Sequence, residues 1–278
     1  MTEQRAHKAP DRFGSDDSHA LKGKQGSIEQ RENQIVELVR SHGFVSIEEL
    51  SRRFALTRQT IRRDINRIAH KGLVQRHHGG AGMISSVENL AYPERKIIAF
   101  QEKKNIARLL ARTVPDKASL FINIGTTTEE VAKALLQHTG LRVITNNLNV
   151  AVILSANESC ELIVAGGRLR NRDRAVTGQS AIDYIQQFKV DFGIIGISGI
   201  DQDGSLLDFD YQEVRVARAI MDNSRRVFLV ADHTKFSRNA VVRLGNITEI
   251  DALFTDQPPP PEMIDLMRTA DVSLHLPD

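Results

Sequence analysis

The chain has a single cysteine among its 278 residues, so no internal disulfide and no CxxC metal site can form. That residue, Cys160, stands at the mouth of the apolar run "SCELIVAGG", where packing is its expected role. No uninterrupted apolar stretch approaches the ~20 residues that span a bilayer, and the N-terminal residues lack the apolar core of a signal peptide. A cytoplasmic protein without membrane contact is therefore expected. The GK[ST] signature of a Walker loop is missing, as is any HExxH, so the nine histidines predict no structural zinc. "DQDGS", Asp201 to Ser205, starts like a calcium loop but lacks the terminal glutamate, and reads as a surface turn. No cofactor is expected.

Acidic residues are scarce in one place only. Between Arg52 and His78 there are eight Lys or Arg and one acid, Asp64, a local charge of +7 in a chain whose net charge is +2. Everything else must then carry −5. A compact basic block on an otherwise acidic chain is the footprint of a polyanion partner.

At this length the chain should hold about two domains, and its 41% hydrophobic content allows ordinary cores. Residues 1–30, rich in Gly, Ser, Lys, Asp and Gln, read as a disordered tail. From Asn33 the spacing of Ile35, Leu38 and Val39 predicts a helix stopped by Gly43. "SIEEL" offers Ser46 as N-cap with Glu49 three residues on, starting a short helix to about Phe54. Thr57 can cap a third helix beginning at Arg58, after a tight connection through Ala55 and Leu56. This is the outline of a helix-turn-helix. After Gly72 the period becomes that of strands, and His78-Gly79-Gly80 can reverse the chain between two short arms, as in a wing. These features bound a DNA-binding domain at residues 31–84, followed by a linker at 85–96 that would serve as a hinge.

On a helical wheel Ile61, Ile65 and Ile68 form one buried stripe, while Gln59, Arg63 and Asn66 face away with Arg62 and Arg67 at their flanks. A recognition helix needs this division, since one stripe anchors it and its N-terminal side chains reach base edges. Arg58, Gln59, Thr60 and Arg63 are the expected base readers, because Arg pairs with guanine and Gln with adenine. Arg62, Arg67 and the wing residues Arg76, His77 and His78 are expected on phosphate or in the minor groove. Asp64 falls toward the buried edge, as an intradomain partner for an arginine.

Beyond Pro115, "SLFINI", "LRVIT", "ELIVAGG", "DFGIIGIS", "RRVFLVAD" and "DALFTD" alternate with helical segments, and "QPPPPE" precedes a last helix and a strand near "VSLHL". Alternation of this kind predicts a largely parallel, doubly wound sheet over residues 97–278, with ligands at the carboxyl ends of its strands. "FINIGTTTEEVAKALL" passes from strand through Gly125 to Thr126, Thr127 and Thr128 at a helix start, a cradle suited to a phosphate. "VITNNLNVAVIL" repeats the layout with Asn146 and Asn147, "VAGGRLR" adds Gly166 and Gly167, and "LVADHTKF" sets Lys235 past a strand end.

"VSIEELSRRFALTRQTIRRDINRIAHKGLVQRHHGGA", followed by "FINIGTTTEEVAKAL", "VITNNLNVAVIL", "IVAGGRLRNRD", "DGSLLDFDYQEVRVARAI" and "VADHTKFSRNA", resembles the DeoR family of bacterial sugar-catabolism repressors from Gln34 to about Pro260. The resemblance implies a winged helix-turn-helix that binds double-stranded operator DNA and a C-terminal α/β sensor domain similar in fold to ribose-5-phosphate isomerase. It implies release from DNA by a phosphorylated metabolite, glycerol 3-phosphate foremost, and no enzyme activity. Carried onto this chain, Gly125 to Thr128 would hold the phosphate, with Asn146, Asn147, Gly166, Gly167 and Lys235 around the ligand. The family commonly has aspartate where this chain has Asn123, so a sugar-hydroxyl contact is altered there. A homo-oligomer, dimer or tetramer, is the expectation for a reader of paired half-sites. The competing reading is a sugar-phosphate isomerase with a DNA-binding tether, in which Asp232 or Glu213 would be the general base. A DNA-binding activator or architectural protein with a vestigial pocket is the third.

Overall fold

The computed structural model describes residues 28–39, 44–77, 79–82 and 92–277, which fall into two compact units, residues 1–85 and 86–278. The expected tail (apart from residues 28–30), the stop at Gly43, the wing residue His78 and most of the linker lie outside the described residues.

The first unit holds helix α1 (28–39), strand β1 (Phe44–Ser46), α2 (Ile47–Phe54), α3 (Arg58–His70), β2 (Gln75–His77) and β3 (Gly80–Gly82). Helix α1 is already formed at residue 28, five residues before the apolar period becomes visible at Asn33, because polar helix turns show no stripe. Ser46 caps α2 by accepting from the Glu49 amide at 3.1 Å, and Thr57 caps α3 by accepting from the Thr60 amide at 3.2 Å. Between them Ala55 takes the left-handed conformation (φ 53°), and its backbone reversal brings the two helices together. Strand β3 pairs antiparallel with both β1 and β2, so the wing is a three-stranded sheet. Ile35, Val39, Leu50, Ile61, Ile65, Ile68 and Val74 close its core.

The second unit opens with α4 (Tyr92–Ile97) and α5 (Phe100–Ala111). The linker expectation therefore gives way at its end: residues 92–96 are helical and belong to this unit. Ala99, left-handed at φ 50°, separates the two helices. There follow β4 (Ser119–Ile122), α6 (Thr126–Ala134), β5 (Arg142–Thr145), α7 (Leu148–Leu154) and β6 (Glu161–Val164). A hairpin of β7 (Arg168–Arg170) and β8 (Ala175–Thr177) leads to α8 (Gln179–Ile185) and β9 (Val190–Gly196). The chain continues with β10 (Gly199–Ile200), β11 (Ser205–Asp208), α9 (Tyr211–Asp222), β12 (Ser224–Val230), β13 (Val242–Asn246), β14 (Ala252–Phe254), α10 (Pro261–Thr269) and β15 (Ser273–His275).

Seven strands form one parallel sheet in the order β15-β14-β12-β9-β4-β5-β6. Strand residues alternate between its faces. Leu120, Ile122, Val143, Ile194, Phe228 and Val230 pack with α5, α6 and α7, while Phe121, Ile144, Ile195, Val227 and Leu229 pack with α8, α9 and α10. The winding starts at β4, runs outward through β5 and β6, and resumes on the other flank of β4 with β9. The reversal leaves a crevice at the carboxyl ends of β4 and β9, where open α/β sheets bind ligands. A small antiparallel sheet, β10-β11-β13, follows β9, and "DQDGS" is the turn between β10 and β11.

Candidate effector pocket and nucleic-acid interface

The crevice at the switch point is an open pocket, with about 760 Å³ of non-atom space when the solvent at its mouth is included. Asn123, Gly125, Thr126 and Thr127 enter it from the end of β4, Ser198 from the end of β9, and Lys235 from the loop after β12. Gly125 has φ 146°, a conformation that L side chains rarely adopt, and a Cβ there would meet Thr128 Oγ1 at 3.3 Å. The turn lays the backbone of Thr126 and Thr127 along the cavity wall. Their amides precede the first intrahelical bond, from the Glu129 amide to the Gly125 carbonyl at 3.1 Å, so they belong to the helix end that favours anions. Asn123 is buried, and its Oδ1 has no hydrogen-bond partner.

Five other residues expected around the ligand do not line the cavity. Thr128 is fully buried and donates its hydroxyl to the carbonyls of Asn123 and Gly125, each at 2.8 Å. Asn146 donates to the Val176 carbonyl at 3.1 Å, and Asn147 caps α7 by accepting from the Asn149 amide at 2.9 Å. Gly167 packs so tightly that a Cβ would stand 2.9 Å from the Thr177 carbonyl, and its neighbour Gly166 shares that loop. One cause accounts for Asn146, Asn147 and the glycines: the β7–β8 hairpin folds over the ends of β5 and β6. These two loops build the wall rather than line the cavity.

The hairpin also delivers side chains that the strand-end motifs do not announce. Arg170 holds Asp173 through two bonds of 2.9 and 2.7 Å, reaches Asp210 at 2.7 Å and contacts Glu213. Asp173, Asp208 and Glu213 line the cavity together with Tyr92, Arg95 and Glu129. Burial, followed by the neighbouring Asp208, pushes the Glu213 carboxyl up to about 7. Burial pushes the Lys235 ammonium down against the pull of Asp232, with Arg238 and Arg95 adding repulsion. The Tyr92 hydroxyl donates to Glu129 at 2.8 Å, and Arg95 approaches Asp173 at 3.3 Å. Glu213 was visible in "DYQEV" only as a candidate base; Tyr92 and Arg95 sit in "AYPERK", whose Pro and charges look like a connector. Asp232, the other candidate base, is fully buried, accepts from the Thr234 amide at 3.0 Å, and is not a lining residue.

In the first unit, α3 buries Ile61, Asp64, Ile65 and Ile68, as its wheel predicts. Asp64 pairs with Arg31 at 2.8 Å and with Arg67, while Glu32 takes Arg67 at 2.7 Å and Lys71 at 2.6 Å. Burial pushes the Glu32 carboxyl up, but Lys71 and Arg67 outweigh it and hold it below the usual range. Arg67, expected on phosphate, is thus engaged within the domain. Arg58 meets Glu48 at 2.6 Å on the surface, a pair that solvent screens. Gln59, Arg62, Arg63 and Arg76 are exposed, Thr60 and Asn66 half-buried. The Thr60 hydroxyl shares a 2.9 Å bond with that of Thr57. Among the described residues Arg62 and Arg63 enter no ion pair, and His77 lies on the wing strand. Among the described residues there is also no cluster suited to a metal ion and no helix long and apolar enough to cross a membrane.

Residues 31–87 match the DeoR-like helix-turn-helix domain and residues 98–257 the DeoR C terminal sensor domain. The chain is 52% identical over 247 residues to the Glycerol-3-phosphate regulon repressor of Escherichia coli (strain K12), covering 89% of this chain and 98% of that protein. The protein of the same name from Haemophilus influenzae is 51% identical over 229 residues, 82% of this chain and 89% of its own. The HTH-type transcriptional repressor CsqR of Escherichia coli (strain K12) is 41% identical over 247 residues, 89% of this chain and 95% of its own. Among solved structures, ribose 5-phosphate isomerase A from Methanocaldococcus jannaschii is similar at 12% identity and a TM-score of 0.37, covering 50% of this chain and just over half, 55%, of that one.

Proposed function

The chain belongs to the DeoR family of helix-turn-helix regulators with a C-terminal sensor domain, and on that premise we propose that it represses a glycerol-catabolic regulon and leaves operator DNA when glycerol 3-phosphate binds. It is a regulator and not an enzyme. The observation that carries the choice of effector is the composition of the switch-point pocket. Arg95, Lys235 and the amides after Gly125 suit a phosphate, and carboxylates at Asp173, Asp208 and Glu213 suit the hydroxyl donors of a polyol. A bare anion would leave those carboxylates unused and repelled.

For DNA, the exposed face of α3 with Gln59, Arg62 and Arg63 enters the major groove, Arg58 leaves its screened pair with Glu48 to join them, and Arg76 on the wing holds phosphate. Half-site reading calls for a symmetric oligomer. Titration of the full chain with glycerol 3-phosphate, glycerol and inorganic phosphate in a thermal-shift assay tests the pocket. Selective stabilisation by the phosphorylated polyol, about 2.7 kcal/mol at a hundredfold excess over Kd, is expected. Stabilisation by none of a panel of C3 to C6 phosphomonoesters, or DNA binding indifferent to all of them, overturns the reading.

A further inference from the structure

Helix α4 is the first described element after the DNA-binding unit, and it is moored to the pocket at several points. The Arg95 carbonyl accepts from the Lys103 ammonium and from the Thr126 hydroxyl, the latter at 3.3 Å. Lys103, 2% exposed, also donates to the Ile98 carbonyl at 2.6 Å. A buried ammonium on α5 thus gathers the carbonyl end of α4, and the left-handed Ala99 between them folds the one helix back on the other. Tyr92, at the opposite end of α4, reaches Glu129 on α6, and Asn149 on α7 donates to the Tyr92 hydroxyl at 2.9 Å. Two groups of this helix, Tyr92 and Arg95, line the cavity.

Arg95 is lightly held where it stands: its guanidinium lies 6.0 Å from the centre of the Tyr92 ring, and its charge favours the carboxylates Asp173 and Asp208 without bonding closely to either. Asp173 already holds Arg170 through two short bonds, and Arg95 adds one contact at 3.3 Å. Its Nε is buried with no partner, which is unfavourable for as long as it stays so. Asp173 therefore loses little if Arg95 turns away, and Arg95 gains a partner if an anion arrives. We infer that Arg95 is a ligand of the effector's phosphate and moves to it from Asp173, so that filling the pocket displaces α4 and is felt along the chain leading to the DNA-binding unit. This deepens, and rests on, the reading of the pocket as a phosphoester site. Lys103 and Thr126 are positioning residues here: their bonds to the Arg95 carbonyl set where α4 rests before the ligand arrives.

The test separates binding from transmission. The full-length protein is titrated with glycerol 3-phosphate while bound to a duplex that it has itself selected from random sequence. Two quantities are read, the half-release concentration and the DNA affinity at saturation. In the wild-type chain saturation weakens DNA by roughly 5- to 150-fold, the span of ordinary effector coupling. In Arg95→Gln that weakening falls to less than about threefold even where thermal shift shows the ligand bound. Lys235→Gln, which removes a pocket cation but nothing on α4, raises the half-release concentration about tenfold or more and keeps the wild-type weakening at saturation, as expected for a lost charged contact. Hydrogen exchange over residues 92–99 changes with ligand in the wild-type chain. An Arg95→Gln protein that only shifts the half-release concentration, or unaltered exchange over 92–99, overturns the inference and leaves the pocket assignment standing. A wild-type chain that ignores glycerol 3-phosphate in the thermal-shift assay overturns both, and does so before any variant is made. Should Arg95→Gln fold poorly, Tyr92→Phe loosens the same helix from Glu129; undiminished coupling in it counts equally against the inference.

Discussion

Arg63 on α3 and Arg95 beside the pocket are both proposed as cations for a phosphate, yet one stands in solvent and the other is largely enclosed. On α3 the cations come from one stretch of chain, and the helical repeat alone turns them outward. In the pocket, Arg95, Lys235 and the Gly125 turn come from three separate segments, and carboxylates from β11, α9 and the β7–β8 hairpin surround them. A polymer of phosphates needs an excess of charge on a surface, and such an excess acts through solvent and weakens with salt. A single phosphoester needs convergence in a confined space, where each charge must be balanced when the ligand is absent. The acids missing from the surface of α3 are therefore abundant around the pocket.

The sharpest challenge to this contrast lies inside the first unit, where Asp64 breaks the rule by being buried among cations. Asp64→Ala leaves the largely buried Arg31 without its carboxylate, while Arg67 keeps Glu32, and should cost about 2 kcal/mol in chemical denaturation. A loss below ~1 kcal/mol would mean that the ion pairs merely decorate the helix. Arg63→Ala should leave that stability alone, cost ~1–3 kcal/mol of DNA binding and relax preference at one base position. Arg76→Ala should weaken all duplexes alike and flatten the salt dependence. Arg67→Ala, tied to Glu32 and Asp64, should show mainly as lost stability; a sequence-specific DNA defect equal to that of Arg63→Ala would redraw the interface.

A smaller effect distinguishes pocket lining from pocket wall. Asn147 accepts from two amides at the start of α7, so Asn147→Ala should cost about 1 kcal/mol of stability, as for a lost N-cap, with little change in affinity for glycerol 3-phosphate. A large loss of affinity at unchanged stability would return Asn147 to the ligand.

The same contrast governs what the amino-acid sequence discloses. Capping at Ser46 and Thr57, the Ile61-Ile65-Ile68 stripe and all seven strands of the parallel sheet follow local periodicity, and each stands where its pattern puts it. Gly125, Thr126, Thr127 and Lys235 were legible because strand-end loops share one edge of such a sheet. Two of those loops turned out to be covered, since a three-residue hairpin strand such as β7, "RLR", carries no apolar alternation to mark it. Arg95 was hidden for the opposite reason: Pro and flanking charges in "AYPERK" have the composition of a linker, and only packing against α6 and Lys103 makes the segment part of the site.

The last of the expected effects concerns protons and belongs to the acids of the pocket. Glu213 is pushed up to about 7 from an ordinary 4.5, first by burial and then by Asp208, whose own carboxyl burial also raises. Between those two values the folded chain keeps a proton that the unfolded chain has released. Stability contributed by this site therefore declines as pH rises from about 4.5 to 7, and the full cost of the buried charge is present above 7. Glu213→Gln stays neutral throughout, so the stability of the variant minus that of the wild-type chain should climb across this window and level off above it. Taking the difference also cancels His233, whose ring Asp256 holds above its usual range and whose contribution is lost as pH rises, unlike that of Asp173, which is lost only at acid pH. Denaturation at pH 5, 6, 7 and 8 reads the slope. A flat difference would mean that Glu213 stays ionised beside Arg170, and the pocket would then hold its full complement of negative charge before any phosphate arrives.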